Sequence, residues 1–299
     1  MKSSKIKGNL ILLLTALVWG MAFAFQSQGA AVLPPFSFTA SRMTLAAIEV
    51  AAFAIGLDIK HGIGRGRSMA KPGYIKTTII GGIVCGLAML GGTVFQQIGV
   101  GYTSAGKAGF ITAMYILIVP LIAAFVLKKS PGLRVWLAVA IGVIGMYLLC
   151  MGSPEGLAKG DIYVIICAVF FSVQITLIDS FSGRADPVKI AAMEFIVISV
   201  VCWIVALLIE KPAAADFTKA VIPILYCGCV SGGLGYTLQI VGQQYTDPTS
   251  GALCMSFESV FAVLGGALIL GQHMTTRELI GAAVMFVAIV LVQLPDRKK

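Results

Sequence analysis

Long stretches free of Asp, Glu, Lys and Arg dominate the chain. They cover positions 8–41, 77–106, 108–127, 135–154, 162–178, 195–209, 220–246, 259–276 and 279–295. A membrane-crossing helix needs about 20 mostly apolar residues, and most of these runs reach or approach that length. A further apolar segment, 36–57, is interrupted only by Arg42 and Glu49, and two of the runs extend backwards through Glu194 and Glu258. The pattern predicts ten helices, at 9–29, 36–57, 75–98, 105–127, 133–151, 161–180, 187–209, 219–242, 248–270 and 277–294. Pro34, Pro35, Pro72, Pro131, Pro154, Pro187, Pro212, Pro248 and Pro295 fall at or near these ends, as expected of a residue that breaks the helical ladder. Pro120 and Pro223 fall inside and predict kinks, provided neighbouring helices satisfy the freed carbonyls. The first helix follows Lys2, Lys5 and Lys7 in the manner of a secretion signal. Its apolar stretch exceeds the roughly 7–15 residues of such a signal, so it is expected to belong to the bundle.

Composition narrows the class. The chain has 299 residues, 58% hydrophobic and 12% charged, about half the charge of a soluble domain. That excludes an ordinary soluble enzyme, a disordered chain and a disulfide-stapled secreted domain. The net charge of +9 acquires meaning from its position: of 22 Lys and Arg, sixteen fall on the side of the N-terminus, five on the other, and Arg42 lies within a helix. Basic residues accumulate in cytoplasmic loops, so both termini are expected in the cytoplasm and the protein in the cytoplasmic membrane. The basic segment 58–76 reads as a determinant of this topology rather than a site for anionic lipid headgroups. Nothing in the charge calls for a nucleic acid. Cys85, Cys150, Cys167, Cys202, Cys227, Cys229 and Cys254 all lie in predicted spans and read as small packing residues. His61 and His273 fall in loops, and no Ser-His-Asp set, zinc motif or P-loop is visible. No enzyme activity, metal or cofactor is therefore expected.

The two halves resemble each other. At an offset of 152, Gly8 matches Gly160, Trp19 matches Phe171 and Pro35 matches Pro187; at 143, Gln96 matches Gln239, Tyr102-Thr103 matches Tyr245-Thr246, Leu127 matches Leu270 and Arg134 matches Arg277. These matches divide the chain into repeats at 1–152 and 153–299, five helices each. Five is odd, so the second repeat is expected to insert upside down. Many secondary transporters use this plan, with a site between the repeats that opens alternately to either side.

Particular motifs add a family. Gln96-Gln97-Ile98-Gly99 and the stretch Tyr102 to Thr112 resemble the fourth-helix region of EamA-type proteins of the drug/metabolite transporter superfamily. Glu258-Ser259-Val260-Phe261 resembles that family's ninth-helix Glu-Pro-Val-Phe, with Ser259 in place of proline. Leu270-Gly271-Gln272-His273 resembles its Leu-Gly-Glu-Arg, with both charges lost. Arg42 with Leu45-Ala46 resembles its second-helix pattern. The resemblance implies an all-α integral membrane protein with a small-molecule substrate, and weights amino acids or related metabolites, moved outward.

Candidate residues follow from the cost of polar groups in lipid. Arg42, Glu49, Glu194 and Glu258 are intramembrane charges, which cost about 2.5–3.5 kcal/mol each on insertion scales. Glu258, between Ser256 and Ser259, is read as a proton carrier, a substrate contact or a structural partner of Arg42 or Lys107. Arg42 is expected to snorkel to the outer interface. Glu49 is a further candidate, and Glu194, eight residues into its helix, is expected near the headgroups. Tyr236, Gln239 and Gln243 share one face of the eighth helix, and Thr93 and Gln96 the repeat-equivalent face of the third. Matching polar faces suit a shared cavity that binds by hydrogen bonds. Trp19 and Gln174 are candidates for an aromatic wall and another polar contact, and Tyr115, repeat-equivalent to Glu258, for the same space. Glycine clusters in the third and eighth helices read as close packing. The sequence thus points to a secondary transporter of a small polar organic solute. The alternatives are vitamin or nucleoside uptake and, from another class, a multi-pass enzyme acting on lipid; the latter needs a His, Asp or basic cluster at one membrane face, which is not visible.

Overall fold

The structure is a computed structural model that describes residues 2–61, 74–127, 132–150, 157–181, 184–246 and 248–294. Most of the basic segment 58–76, Lys128, Lys129, Pro131, Pro154, Asp247 and the basic tail from Pro295 lie outside them. Among the described residues ten helices are long and apolar enough to cross a membrane: α1 (Lys5–Ala30), α2 (Pro35–Ile59), α3 (Tyr74–Val100), α4 (Ala105–Ile122), α5 (Leu133–Cys150), α6 (Lys159–Phe181), α7 (Pro187–Glu210), α8 (Val221–Gln243), α9 (Ser250–Leu270) and α10 (Thr276–Gln293). No strand occurs among the described residues. His61 closes the helix of α2 rather than lying in a loop.

The ends carry recognisable stops. Asp186 caps α7, its carboxylate accepting from the Val188 and Lys189 amides, which helix N-termini leave without partners. Thr275 and Glu278 form a capping box at α10. Gly271 ends α9 at φ 63, a left-handed conformation that favours glycine.

Four irregularities depart from the sequence expectation. Helix α4 breaks not at Pro120 but at Ala113-Met114, between helical segments Ala105–Thr112 and Tyr115–Leu127. Helix α9 breaks at Ser256-Phe257, between Pro248–Met255 and Glu258–Leu270. These breaks lie 143 positions apart, the offset of the sequence repeat. In each, backbone bonds tighten to a three-residue spacing, Met114 to Ile111 and Phe257 to Cys254. Two serines bond to the backbone at the break in α9: Ser256 Oγ donates to Leu253 O at 2.7 Å and Ser259 Oγ to Ser256 O at 3.0 Å. In α8, the helix around Pro223 passes into a π-helical stretch, Tyr226–Gly235, and α7 ends in a π-turn, Ala206–Glu210, closed by Lys211 at φ 48.

Helix packing has one regularity. Helix α2 lies on α7, α5 on α10 and α4 on α9; α3 packs on α6 as α1 packs on α8, α3 on α7 as α2 on α8, and α4 on α6 as α1 on α9. The pattern maps onto itself when the first five helices exchange with the last five. Individual contacts repeat as well. At one end of the bundle Lys7 lies 5.2 Å from the Tyr245 ring centre, and Thr246 meets Asn9 at 2.6 Å. At the start of α6 Lys159 lies 5.3 Å from the Tyr102 ring, and Thr103 meets Asp161 at 2.6 Å. Helices α2 and α7 are tied at both ends. Lys189 pairs with Asp58 at 2.8 Å, and Glu210 accepts from the Phe36 and Ser37 amides at 2.9 and 2.7 Å and from Ser37 Oγ at 2.5 Å. Asp58 and Glu210 are 152 positions apart, as are Ser37 and Lys189.

Candidate functional site

A cavity of about 470 Å³ lies among α1, α2, α3, α4, α6, α7, α8 and α9, within the roughly 300–1,000 Å³ range of small-molecule sites. It follows α6, α7 and α8 to their ends at Phe181, Pro187 and Gln243, where Gln243 is exposed. In the other direction its lining stops at Gln26, Arg42, Gln96 and Cys227, four to seven residues short of the helix ends. The open end is the one that holds Lys7 and the Asp58–Lys189 pair.

Local structure explains how polar groups reach this space. The breaks in α4 and α9 place Tyr115 and Glu258 on the first turn of a new helical segment, each facing the cavity. A carboxylate there meets the positive end of the helix dipole. In α8 the π-helical stretch leaves the Ser231 carbonyl to Trp19, whose Nε1 donates to it at 3.0 Å. Gly235 makes room, since a Cβ there would lie 2.5 Å from Trp19 Nε1. The Trp19 ring tilts against Tyr236 at 5.1 Å, and Phe195 meets Tyr236 edge-on at 4.8 Å. Such π-helical segments widen the spacing of groups along one face and recur at functional sites.

Trp19, Thr93, Gln96, Tyr115, Gln174, Tyr236, Gln239, Gln243, Arg42, Glu194 and Glu258 all line the cavity. Gln96 Nε2 lies 3.4 Å from Thr112 Oγ1, and Thr93 donates back to the Met89 carbonyl. Glu49 is the exception. It packs against Gly233 of α8, where a Cβ would collide with its carboxylate, and it is not among the residues that line the cavity. Two other expectations are corrected. Arg42 does not snorkel and Glu194 does not reach the headgroups: they are 5% and 1% exposed and face the cavity. Eight residues of helix are only about 12 Å, and the cavity carries polar surface to that depth. Glu194 Oε1 accepts from Gln174 Nε2 at 2.8 Å. Lys107 is not a partner of Glu258; it pairs with Glu278 at 2.8 Å.

Sequence reasoning missed part of the wall. Phe171, Ile175, Ile178, Phe195, Gln26 and Met43 also line it. Their signal was the repeat: Trp19 and Phe171, Ala22 and Gln174, Phe23 and Ile175, Gln26 and Ile178, Arg42 and Glu194, and Met43 and Phe195 are lining pairs 152 apart. Met89 and Gly232, Thr93 and Tyr236, Gln96 and Gln239, and Tyr115 and Glu258 are lining pairs 143 apart. Among the described residues no cluster of His, Cys, Asp and Glu is arranged to hold a metal.

Ten apolar helices around a solute-sized, polar-studded cavity are the frame of a multi-pass membrane transporter. The chain belongs to the EamA-like transporter family, whose profile matches residues 6–151 and again 158–294. It is 27% identical over 290 residues to an uncharacterized transporter of Archaeoglobus fulgidus, covering 97% of this chain and 87% of that one. It is 24% identical to a chloroplastic WAT1-related protein of Arabidopsis thaliana, covering 93% and 67%. It is 18% identical to the uncharacterized transporter YoaV of Bacillus subtilis, covering 93% of each. A crystal structure shares the fold at a TM-score of 0.63 and 18% identity, covering 97% of this chain and 96% of the other. These likenesses place the protein in the drug/metabolite transporter superfamily.

Proposed function

We propose that the protein is a secondary transporter that exports a small polar organic solute, an amino acid or related metabolite, across the cytoplasmic membrane by alternating access. The observation that carries this reading is the cavity wall. Ten pairs of lining residues stand 152 or 143 apart, which supports a site between two five-helix repeats, 1–152 and 153–299, of opposite orientation. Equivalent contacts, Lys7 with Tyr245 and Lys159 with Tyr102, support the same relation. A cavity on such an axis opens to one face and, once the repeats exchange roles, to the other. The basic side of the chain is the cytoplasmic one by the positive-inside rule, which puts both termini inside and the present opening inward, as an exporter needs for loading.

Gln96, Gln239, Gln174 and Tyr236 supply hydrogen bonds to solute. Glu258, at a helix N-terminus within the cavity, takes up a proton or the solute itself. Counterflow in proteoliposomes tests the assignment. A solute moved by the parent protein is expected to move much more slowly in Gln239→Ala and Glu258→Gln. Undiminished transport by both variants refutes it.

A further inference from the structure

The cavity opens at one end only, so contacts made in one repeat and missing from the other mark what has to move. In the first repeat α1 packs on α3 and α4, and α2 packs on α3. Among the described residues α6 has no comparable packing on α8 or α9, nor α7 on α8. Two close approaches hold the shut end. Phe38 of α2 lies so near Gly29 of α1 that a Cβ there would run into its ring. Gln97 of α3 donates through Nε2 to the Gln26 carbonyl of α1 at 3.0 Å. The equivalents, 152 or 143 positions on, are Phe181 and Ile190 for the first contact and Ile178 and Ile240 for the second. All four of these line the open half of the cavity. The first pair of contacts is therefore a closed gate, and the second set of residues the same gate standing open.

The two gates differ in chemistry. Shutting the first leaves polar atoms unmet: Oε1 of Gln26, Oε1 of Gln97, Oγ1 of Thr39 and Nε and Nη2 of Arg42 are buried with no hydrogen-bond partner. Their equivalents, Ile178, Ile240, Ala191 and Glu194, all line the open half, and only Glu194 is polar. A buried polar atom without a partner is costly, and contact with water removes that cost. Apolar side chains gain when they leave water for one another. Opening the first gate and shutting the second therefore favour the same state.

We propose that the gates are unequal, the outer one polar and inclined to open, the inner one apolar and inclined to shut, so that the empty carrier is biased toward its outward-open state. This rests on the alternating-access reading above and adds its resting direction. Gln97 and Ile240, one at each gate, set the balance.

The test uses the full chain in lipid nanodiscs without solute, where a water-soluble maleimide reaches both faces. Thr39→Cys and Ala191→Cys, 152 positions apart, report on the outer and the inner gate. The first leaves Gln26, Gln97 and Arg42 in place. Peptide mass spectrometry separates each new cysteine from the natural ones, and each rate is divided by that of the SDS-unfolded chain. Thr39→Cys is expected to react faster than Ala191→Cys. Adding Gln97→Leu, which makes the outer gate apolar, should move the ratio of the two rates about tenfold toward Ala191→Cys, the scale of one unmet buried polar group. Adding Ile240→Gln, which makes the inner gate polar, should move it the same way, and both changes together should move it further than either alone. Melting of each variant controls for folding. Faster reaction of Ala191→Cys in the parent background overturns the bias, as does an unchanged or opposite ratio in either folded variant. In those cases labelling of Thr39→Cys in any background leaves alternating access standing. If Thr39→Cys reacts in none, the outer face never opens and the transport reading falls with the bias.

Discussion

Removing the Glu210 carboxylate tests the clasp between α2 and α7 by its energy. Three donors converge on it: the Phe36 amide at 2.9 Å, the Ser37 amide at 2.7 Å and the Ser37 hydroxyl at 2.5 Å. The two amides open helix α2, where no partner within the helix exists for them. Ser37 is fully buried, so water does not replace the carboxylate at its amide. A buried donor left unmet costs about 1–3 kcal/mol. Loss of a helix cap costs about 0.5–2 kcal/mol, and the carboxylate also stabilises the helix dipole by about 0.3–1 kcal/mol. These overlap, and Glu210→Ala is expected to destabilise the protein by about 3 kcal/mol. Ser37→Ala removes only the hydroxyl bond and is expected to cost about 1 kcal/mol. The two changes share a partner, so the double variant falls short of their sum. Reversible unfolding in mixed micelles measures all three, with Asp216→Ala as the control. Asp216 forms an exposed pair with Lys219 at 3.4 Å, of a kind that contributes about 0–1 kcal/mol. If Glu210→Ala is no worse than Asp216→Ala, or if the double variant is additive, the clasp is not an energetic link between α2 and α7.

Other expectations are equally direct. At the α5–α10 contact, a Cβ on Gly281 would sit 2.5 Å from Leu149 N and 2.8 Å from Gly145 O. Gly281→Ala should therefore lower the melting temperature through overpacking of about 1–3 kcal/mol. Gly56→Ala in α2 meets nothing within 4 Å and should leave it unchanged or raise it. Glu278→Gln removes the partner of Lys107, which is only 8% exposed; a loss of about 3–5 kcal/mol is expected. Most of that loss should return in the double variant Lys107→Met/Glu278→Gln, where no unpaired charge remains, and failure to recover points to a role for Lys107 beyond the pair.

Much of the architecture was written in the hydrophobic pattern, because crossing a bilayer imposes a length that composition must obey. All ten helices stand within a few residues of their predicted places, and the family resemblance read from Gln96–Thr112 and Glu258–Phe261 agrees with the profile match. The paired glutamines were visible because Gln96 and Gln239 are polar in equivalent apolar surroundings. The helix breaks were not visible. Neither Ala113-Met114 nor Ser256-Phe257 contains proline, and Pro120, which promised a kink, lies within a helical segment. The π-helical stretch of α8 likewise has no single-residue signature. Charges were misjudged for a different reason. Depth along a helix is not depth in lipid, because a cavity brings polar surface to Arg42 and Glu194 inside the bundle. Glu49, two helical turns from Arg42, shares its face but not its surroundings: it packs on Gly233 of α8 and lies outside the cavity lining, whereas Arg42 is part of it.

The central claim is that one cavity serves both faces through exchange of two equivalent repeats, and cysteine accessibility of an equivalent pair tests it most directly. Ile178 lies in the open half of the cavity and Gln26, 152 positions before it, in the closed half, 3% exposed. In sealed vesicles, a membrane-impermeant thiol reagent should label Ile178→Cys only from the face of the N-terminus and Gln26→Cys only from the opposite face. Conditions that drive the transporter to its other state should lower the first rate and raise the second together. Labelling of both from a single face, or rates that change independently, would contradict the account.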